Sequence, residues 1–323
     1  MRIATFNLEN LDDQADLTPS LSERISILRP QLLRINADVL CLQEVNSQRV
    51  DDRKTLSALD ALVAGTPYAA YHRATTQTTD GELYHERNLV TLSRFEIRSA
   101  ANIRASSGPR PHYQVATAEP PDLSSDPVKW ERPVLYTTLA LDDGTVLHVM
   151  NLHMKSKIAS SIPGQKIDNF TWKSVAAWAE GSFISSMKRV GQALQVRLQI
   201  DKIFDESGLD SLIAICGDFN AETDEVPVKA IRGMVEETGN PAHSLRVMIP
   251  CENNIPTSSR YSLLYLGHGE MIDHILVSRP LIRYFSHAEI HNEILPDESG
   301  AFRVDAKFPE SDHAPVIAEF VPR

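Results

Sequence analysis

Leu212-Ile213-Ala214-Ile215-Cys216-Gly217-Asp218-Phe219-Asn220 is an apolar run that breaks at a glycine into a carboxylate and a carboxamide two positions apart. Short β-branched runs bounded by turn residues read as buried strands, so the polar pair falls at a strand's C-terminal end. A second stretch, Ser311-Asp312-His313-Ala314-Pro315-Val316, sets a carboxylate beside an imidazole just ahead of another apolar run. Such groups hold hard cations, orient water and move protons.

Working outward, comparable strand runs recur at Ile3–Phe6, Asp38–Leu42, Leu89–Leu92, Val134–Leu141, Val146–Leu152, Met271–Val277 and Pro315–Phe320. Asp142-Asp143-Gly144 between two of them predicts a tight antiparallel hairpin. Helical periodicity is rarer. Ser22 precedes a segment with Ile25, Leu28, Leu32 and Ile35, which Pro30 is expected to kink or split. Leu56 to Ala64 ends at Gly65, a C-terminal cap position. Phe183, Met187, Val190, Leu194, Leu198 and Phe204 approximate one face of a long helix ending near Glu206. The proline- and serine-rich stretch from Ser99 to Arg132 reads as a surface excursion between strands.

Composition bounds the class. At 323 residues and 42% hydrophobic content the chain can bury a large core, and length alone suggests two domains while leaving one open. Cys41 and Cys216 lie inside apolar runs and read as reduced core residues. No run approaches the roughly 18 apolar residues of a membrane span. The N-terminus enters a strand pattern at once and lacks the pattern of a secretory signal, so the expected location is cytoplasmic. A net charge of −11 argues against coating nucleic acid through a broad basic surface. Residues 151–190 oppose that balance, with Lys155, Lys157, Lys166, Lys173, Lys188 and Arg189 against only Asp168 and Glu180.

Polar residues cluster where the strand runs end. Asn7 and Glu9 follow the first, Gln43 and Glu44 the second, Asn151 and His153 the hairpin. Asp273 and His274 lie inside Met271–Val277, and Asp312 and His313 precede the last strand. Alone, Asn7-Leu8-Glu9 is also a turn former, Asp218-Phe219-Asn220 an Asx turn, and Asp312-His313 a cap or a surface pair. Taken in order, Phe6-Asn7-Leu8-Glu9, Leu42-Gln43-Glu44, Asn151-Leu152-His153, Gly217-Asp218-Phe219-Asn220, Ile272-Asp273-His274 and Ser311-Asp312-His313 resemble the endonuclease/exonuclease/phosphatase superfamily. The resemblance implies an α+β fold, a four-layer α/β/β/α sandwich of two mostly antiparallel sheets flanked by helices. It also implies one catalytic domain over residues 1–323.

Oxygen-rich donors with few clustered histidines and no cysteine pair point to Mg²⁺ or Mn²⁺ over a closed zinc site. The resemblance implies a metal-dependent phosphoesterase in which Glu44 anchors the cation, with Glu9, Asn7 and Asp312 in the metal region. Asp218 would orient or deprotonate the attacking water, and Asn220 would fix phosphate or nucleophile. His313, polarised by Asp273, would face the phosphoryl group; His153 would contact a phosphate oxygen or the leaving group, with Asn151 beside it. His274 reads as a packed strand residue, and Arg94 and Arg132 as structural donors.

The expected substrate is a phosphodiester, in nucleic acid or a nucleotide diester. A phosphatase or lipid head-group phosphodiesterase is the alternative, and a non-catalytic binding scaffold is a third. Lys155, Lys157, Lys173 and Trp172 follow His153 closely and are candidates to neutralise phosphate and stack a base. Packing of the tryptophans in a helical flap with solvated lysines explains the same residues. Arg87, just before a strand, is a further candidate to reach the substrate.

Overall fold

The computed structural model describes residues 1–14, 16–104, 110–130, 132–297, 299 and 307–321. Among these, twelve strands build two six-stranded sheets. The chain begins the first sheet with β1 (Arg2–Leu11), β2 (Val39–Val45), β3 (His72–Thr75) and β4 (Asn88–Ser93). It then lays down the whole second sheet. That sheet holds β5 (Glu96–Ile103), β6 (Val134–Ala140), β7 (Val146–His153), β8 (Leu212–Asp218), β9 (Met248–Pro250) and β10 (Asp273–Ser278). Finally β11 (Phe285–Ile290) and β12 (Val316–Phe320) return to complete the first.

The spatial orders are β11-β12-β1-β2-β4-β3 and β9-β10-β8-β7-β6-β5. Each sheet contains one parallel pair near its centre, β1 with β2 and β7 with β8, and its other pairings are antiparallel. A parallel pair sends both C-terminal ends to the same edge. All four strands that end in candidate site residues belong to these two pairs.

Helices α1 (Leu21–Ile35) and α2 (Ser57–Val63) cover the first sheet, and α3 (Val175–Ser207) and α4 (Val226–Arg232) the second. Three apolar layers result. Ala4, Phe6 and Leu8 of β1 pack with Leu28, Leu32 and Leu59 beneath the first helices. Ile3, Val39, Cys41, Val149, Ala214, Cys216 and Ile275 fill the space between the sheets. Met150, Leu152 and Ile215 meet Ala193, Val196, Ile200 and Ile231 under α3 and α4. A one-residue slip of β1 would exchange Phe6 and Leu8 for Thr5 and Asn7 on the helix face, and each such apolar side chain contributes about 1.5–3 kcal/mol when buried. Register is therefore tightly held.

The hairpin forms as expected, with Gly144 at φ +83° and its N–H donating to Leu141 O at 2.8 Å. All three cysteines are buried and free. Three expectations need correction. First, Pro30 does not split α1, which is one helix capped by Ser20, whose hydroxyl and main chain exchange hydrogen bonds with Glu23. Pro30 and Ser26 are both exposed, so the carbonyl that the proline leaves without a donor meets water. Second, the stripe Phe183, Val190, Leu194 and Leu198 faces solvent. The opposite face, with Ala193, Val196, Ile200 and Ile203, packs on the sheet. Third, the surface excursion starts later than Ser99, because β5 runs to Ile103. Residues 105–109 and 131 of that stretch lie outside the described residues.

Candidate active site

The face between the sheets changes character along its length. On β1 the inward residues run Ile3, Thr5, Asn7; on β2 Val39, Cys41, Gln43; on β7 Val149, Asn151, His153; on β8 Ala214, Cys216, Asp218. The period of two keeps one face buried throughout while its chemistry turns from apolar to polar. Register then lines up the polar ends: His153 stands opposite Asp218, and Asp218 opposite Asp273. The first sheet answers with Asn7 opposite Gln43.

Hydrogen bonds tie the two sheets together at this level. Gln43 Nε2 donates to Asn151 Oδ1 at 2.7 Å, and Asn151 Nδ2 donates to the carbonyls of Leu42 and Val90 at 3.1 and 3.0 Å. Asn151 thus uses its carboxamide to bridge the sheets and lies wholly buried. Asn7 Nδ2 reaches Asp218 Oδ2 at 3.2 Å, and Ser311 Oγ donates to Asn7 O at 2.7 Å. Asp218 is the hub: Asn220 donates to it through its main chain and side chain at 2.8 and 2.9 Å. His153 Nε2 lies 3.3 Å from Asp218 Oδ2 and 3.5 Å from Glu44 Oε1.

His313 completes the group. Its Nδ1 donates to Asp273 Oδ2 at 2.7 Å, because the carboxylate can only accept. Its Nε2 is thereby aimed at Asp218 Oδ2, 4.0 Å away. Asp312 is placed differently: its N–H donates to Glu9 Oε2 at 3.1 Å, and its Oδ1 is 3.9 Å from His313 Nε2. The structure therefore gives His313 to Asp273 and turns Asp312 toward Glu9.

Local backbone geometry at these ends is unusual. Glu9, Asn10, Glu44, Arg87 and Asn220 have φ between +46° and +57°. Non-glycine residues held there cost of order 1–3 kcal/mol each and persist where surrounding contacts over-determine them. Glu9 N–H is held by Asn7 Oδ1 at 2.9 Å, Asn10 N–H by Glu44 Oε2 at 3.0 Å, and Arg87 N–H by Asn46 Oδ1 at 2.8 Å. Gly217, at φ +145°, lets β8 approach β7 just before Asp218; a Cβ there would sit 2.0 Å from Leu152 O.

Burial dominates the electrostatics. It pushes Asp218 up to about 7, with Asp273 adding to the rise and His313 opposing it. Burial and then Asp312 raise Glu9 to about 7. His153 is driven well below its ordinary value by burial, with Arg132, His313 and Arg87 adding to the effect, so it stays neutral. Burial would also lower His313, but Asp273 and Asp312 hold it well above its ordinary value. One neutral and one charged imidazole flank the same carboxylate.

Two buried atoms here, His153 Nδ1 and Asp273 Oδ1, find no hydrogen-bond partner among the described residues. Ligand-capable atoms of Asp218, Asp273 and His313 all lie within 4.8 Å of one another. This trio differs from the expected metal set of Glu44, Glu9, Asn7 and Asp312, in which Asp312 N–H meets Glu9 Oε2 and Asn10 N–H meets Glu44 Oε2. Both groupings supply carboxylate oxygens, which suit a hard divalent cation. Buried like charges of this kind are what such an ion relieves.

Some residues with a part in the site carried no recognised signal. Arg24 is buried and donates to Leu8 O at 2.7 Å, Glu9 O at 2.9 Å and Pro309 O at 3.4 Å. Its spacing to Leu28 and Leu32 put it on the buried stripe of α1, a visible clue. Ser262 joins the segments that carry Asp273 and His313: its Oγ accepts from Asp273 N–H at 3.0 Å and its carbonyl from Ala314 N–H at 2.7 Å. His274 is a buried strand residue, yet a polar one. It lies 2.6 Å from Glu252 and 2.9 Å from Ala221 O, bracing the loop after Asp218.

The flap residues pair chiefly away from this cluster, although the charge of Lys155 adds to the lowering of His153. Lys157 bridges Glu225 and Glu270, each at 3.2 Å, and Lys173 lies 3.6 Å from Glu119. Trp172 stacks under Lys166 at 4.2 Å. Lys155 Nζ donates to Ser156 Oγ at 2.8 Å. Arg87 does approach the site, its Nε 3.1 Å from Asn10 Oδ1 and 3.9 Å from Glu44 Oε2. Arg94 binds Asp38 elsewhere, whereas Arg132 Nη1 donates to His153 O at 3.4 Å.

A model of the Endonuclease/Exonuclease/phosphatase family matches residues 4–313. Comparison with curated proteins by sequence gives no match. Among solved structures, an endonuclease/exonuclease/phosphatase family protein from Bacteroides thetaiotaomicron superposes with a TM-score of 0.59 at 16% identity, covering 98% of this chain and 93% of its own. A mannosyl-6-phosphatase from the same species gives 0.58 at 16% identity, with full coverage of both chains. A 3′-5′ exonuclease from Neisseria meningitidis gives 0.54 at 16% identity, again over both whole chains.

Proposed function

The chain belongs to the endonuclease/exonuclease/phosphatase family, a family of phosphoester hydrolases, and on that premise we propose that it hydrolyses phosphodiesters, in nucleic acid or nucleotide diesters, as one catalytic domain. The observation that carries the reading is the convergence of neutral His153 and charged His313 on Asp218, within 3.3 and 4.0 Å of the same oxygen. A carboxylate pushed up to about 7 accepts a proton at neutral pH more readily than an ordinary one. Attack forms the bond from water oxygen to phosphorus, the water proton passes to Asp218, and the bond to the departing oxygen breaks.

Asn220, fixed against Asp218, orients the water or a phosphoryl oxygen. The charged His313 stabilises negative charge growing on those oxygens, with Asp273 holding its ring. Neutral His153 offers its Nε2–H to a phosphate or leaving oxygen. Glu44, with Glu9, Asn7 and Asp312, would hold Mg²⁺ or Mn²⁺, whose chemistry there is neutralisation of phosphoryl and departing oxygens.

Diester over monoester is supported by space on two sides. Arg87 walls two clefts, one of about 290 Å³ beside Glu9, Asn10 and Arg24, and one of about 200 Å³ beside Tyr84 and Arg132. A phosphodiester has two ester arms to place. Purified protein assayed with Mg²⁺, Mn²⁺ or chelator against bis(4-nitrophenyl) phosphate, 4-nitrophenyl phosphate, plasmid DNA, RNA and sphingomyelin tests this. Metal-dependent turnover of diesters is expected. Activity that survives chelation, or a preference for the monoester or for sphingomyelin, overturns it.

A further inference from the structure

Resting on the hydrolase reading above, we propose that the cleft between Arg87 and Arg132 is a specificity subsite for a second phosphoryl group on the substrate, one position away from the phosphorus under attack. The cleft is lined by Thr76, Tyr84, Glu86, Arg87, Arg132 and Pro133, among others. Its volume of about 200 Å³ falls below the roughly 300–1,000 Å³ of pockets that enclose a whole ligand, so it suits one group of a larger molecule.

Its two arginines are anchored to the reacting centre by their other contacts. Arg132 donates to the carbonyl of His153, and Arg87 lies between Asn10 and Glu44. The guanidinium groups therefore stand at a fixed offset from His153 and Glu44. Both raise the potential at His153, which their charge helps keep neutral. Guanidinium forks match phosphate oxygens in pairs.

Charge also selects between the two clefts. The cleft on the other side of Arg87 presents Glu9, Asp12 and Glu86 against Arg24, Arg87 and Lys307, and Arg24 is committed to main-chain carbonyls. The Arg132 side is lined by two arginines and one carboxylate, Glu86, with Glu44 3.9 Å from Arg87 Nε as a second. An anionic arm is favoured there, and an uncharged arm on the acidic side. The second phosphoryl can come from the next link of a nucleic-acid strand or from a small bisphosphorylated molecule; the chemistry recognised is the same.

The test compares substrates that differ by one phosphate. Thymidine 5′-(4-nitrophenyl phosphate) is supplied with a 3′-hydroxyl or a 3′-phosphate, and the dinucleotide TpT with or without a 5′-phosphate, for wild type, Arg132→Gln and Arg87→Gln. Wild type is expected to favour the phosphate-bearing member of at least one pair by roughly tenfold in kcat/KM, the value of one good charge-assisted contact. The first pair reports a small molecule and the second a strand. In each variant that ratio should fall toward one, whatever happens to absolute rates, and general damage to the fold lowers both members equally. Wild-type turnover of diesters with a ratio near one in both pairs overturns the subsite and leaves the hydrolase reading standing. Absence of turnover on every diester overturns both together.

Discussion

Carboxylates at the two ends of the sandwich meet opposite treatment. At the site, Asp218 and Glu9 are pushed up to about 7 by burial and by neighbouring acids. At the far edge of the first sheet, Glu289 is held down to about 2, because the hydrogen bonds of Arg2, His291 and His287 outweigh its burial. Arg2 also bonds Glu319 at 2.8 Å and the carbonyl of Ile35 at 3.2 Å, so that edge is internally neutralised. The same residue type thus marks a finished ion network at one end and an unfinished one at the other. Uncompensated burial of like charge is what a fold tolerates where chemistry or a cation needs it.

The largest expected effect tests the unfinished end directly. Asp218→Asn and His313→Ala should each lower kcat/KM by roughly 10² or more, with circular dichroism unchanged. Wild-type turnover in a folded Asp218→Asn protein would remove Asp218 from the mechanism. Glu44→Gln should cost as much, together with weakened binding of Mn²⁺ read by calorimetry.

Arg24 is a strongly fixed cation beneath the acidic group, and it tests how far the compensation is local. Arg24→Ala should weaken Mn²⁺ binding or activation by roughly 10–100-fold, as loss of a supporting residue around ligands does. Its removal frees the carbonyls of Leu8 and Glu9 together, so Arg24→Lys should recover part of the affinity. Equal affinities for wild type and Arg24→Ala would show that the carboxylates need no such support.

These residues also show what the sequence carried. Strand-end residues were legible because a period of two fixes which face each side chain takes, and parallel pairs bring Asn7, Gln43, His153 and Asp218 to one edge, whereas Glu44 is out of that phase and sits at φ +57°. The separate partnership of His313 with Asp273 followed from the family pattern and reappears in the geometry at 2.7 Å. The flap was less legible. Lys157 and Lys173 looked like phosphate ligands in a basic window, but Glu225, Glu270 and Glu119 come from distant segments to meet them. The exposed stripe on α3 misled for a related reason. Its N-terminal half packs through polar contacts, with Glu180 accepting from Tyr113, Ala116 and Thr117, so apolar period alone did not reveal the buried side. Arg24 shares the buried stripe of Leu28 and Leu32, but the carbonyls of Leu8, Glu9 and Pro309 that it meets come from other segments of the sequence.

A smaller effect separates the two ends by stability. A carboxyl whose folded pKa is raised makes the native state bind more protons than the unfolded one, so stability falls as pH climbs from about 4.5 toward 7. Metal-free Asp218→Asn should therefore melt a few degrees above wild type at pH 8 while losing activity, the trade expected of a functional group. Adding Mn²⁺ should raise the wild-type melting temperature more than that of the variant. A variant less stable than wild type at pH 8 in chelator would contradict the reading of Asp218 as an uncompensated charge.

The smallest effect lies at the finished end and has the opposite sign. Glu289 is held below its ordinary value, so its contribution is complete above about pH 4.5 and is lost as pH falls through about 2. Glu289→Gln should leave hydrolysis at neutral pH unchanged and lower the melting temperature modestly there, because the carboxylate is partly exposed and solvent screens its pairing with Arg2. The deficit should shrink as pH falls from 4.5 toward 2, where wild type loses the same interaction. A deficit that grows on acidification would mean that Glu289 is strained by its burial, and the contrast between the two ends would fail.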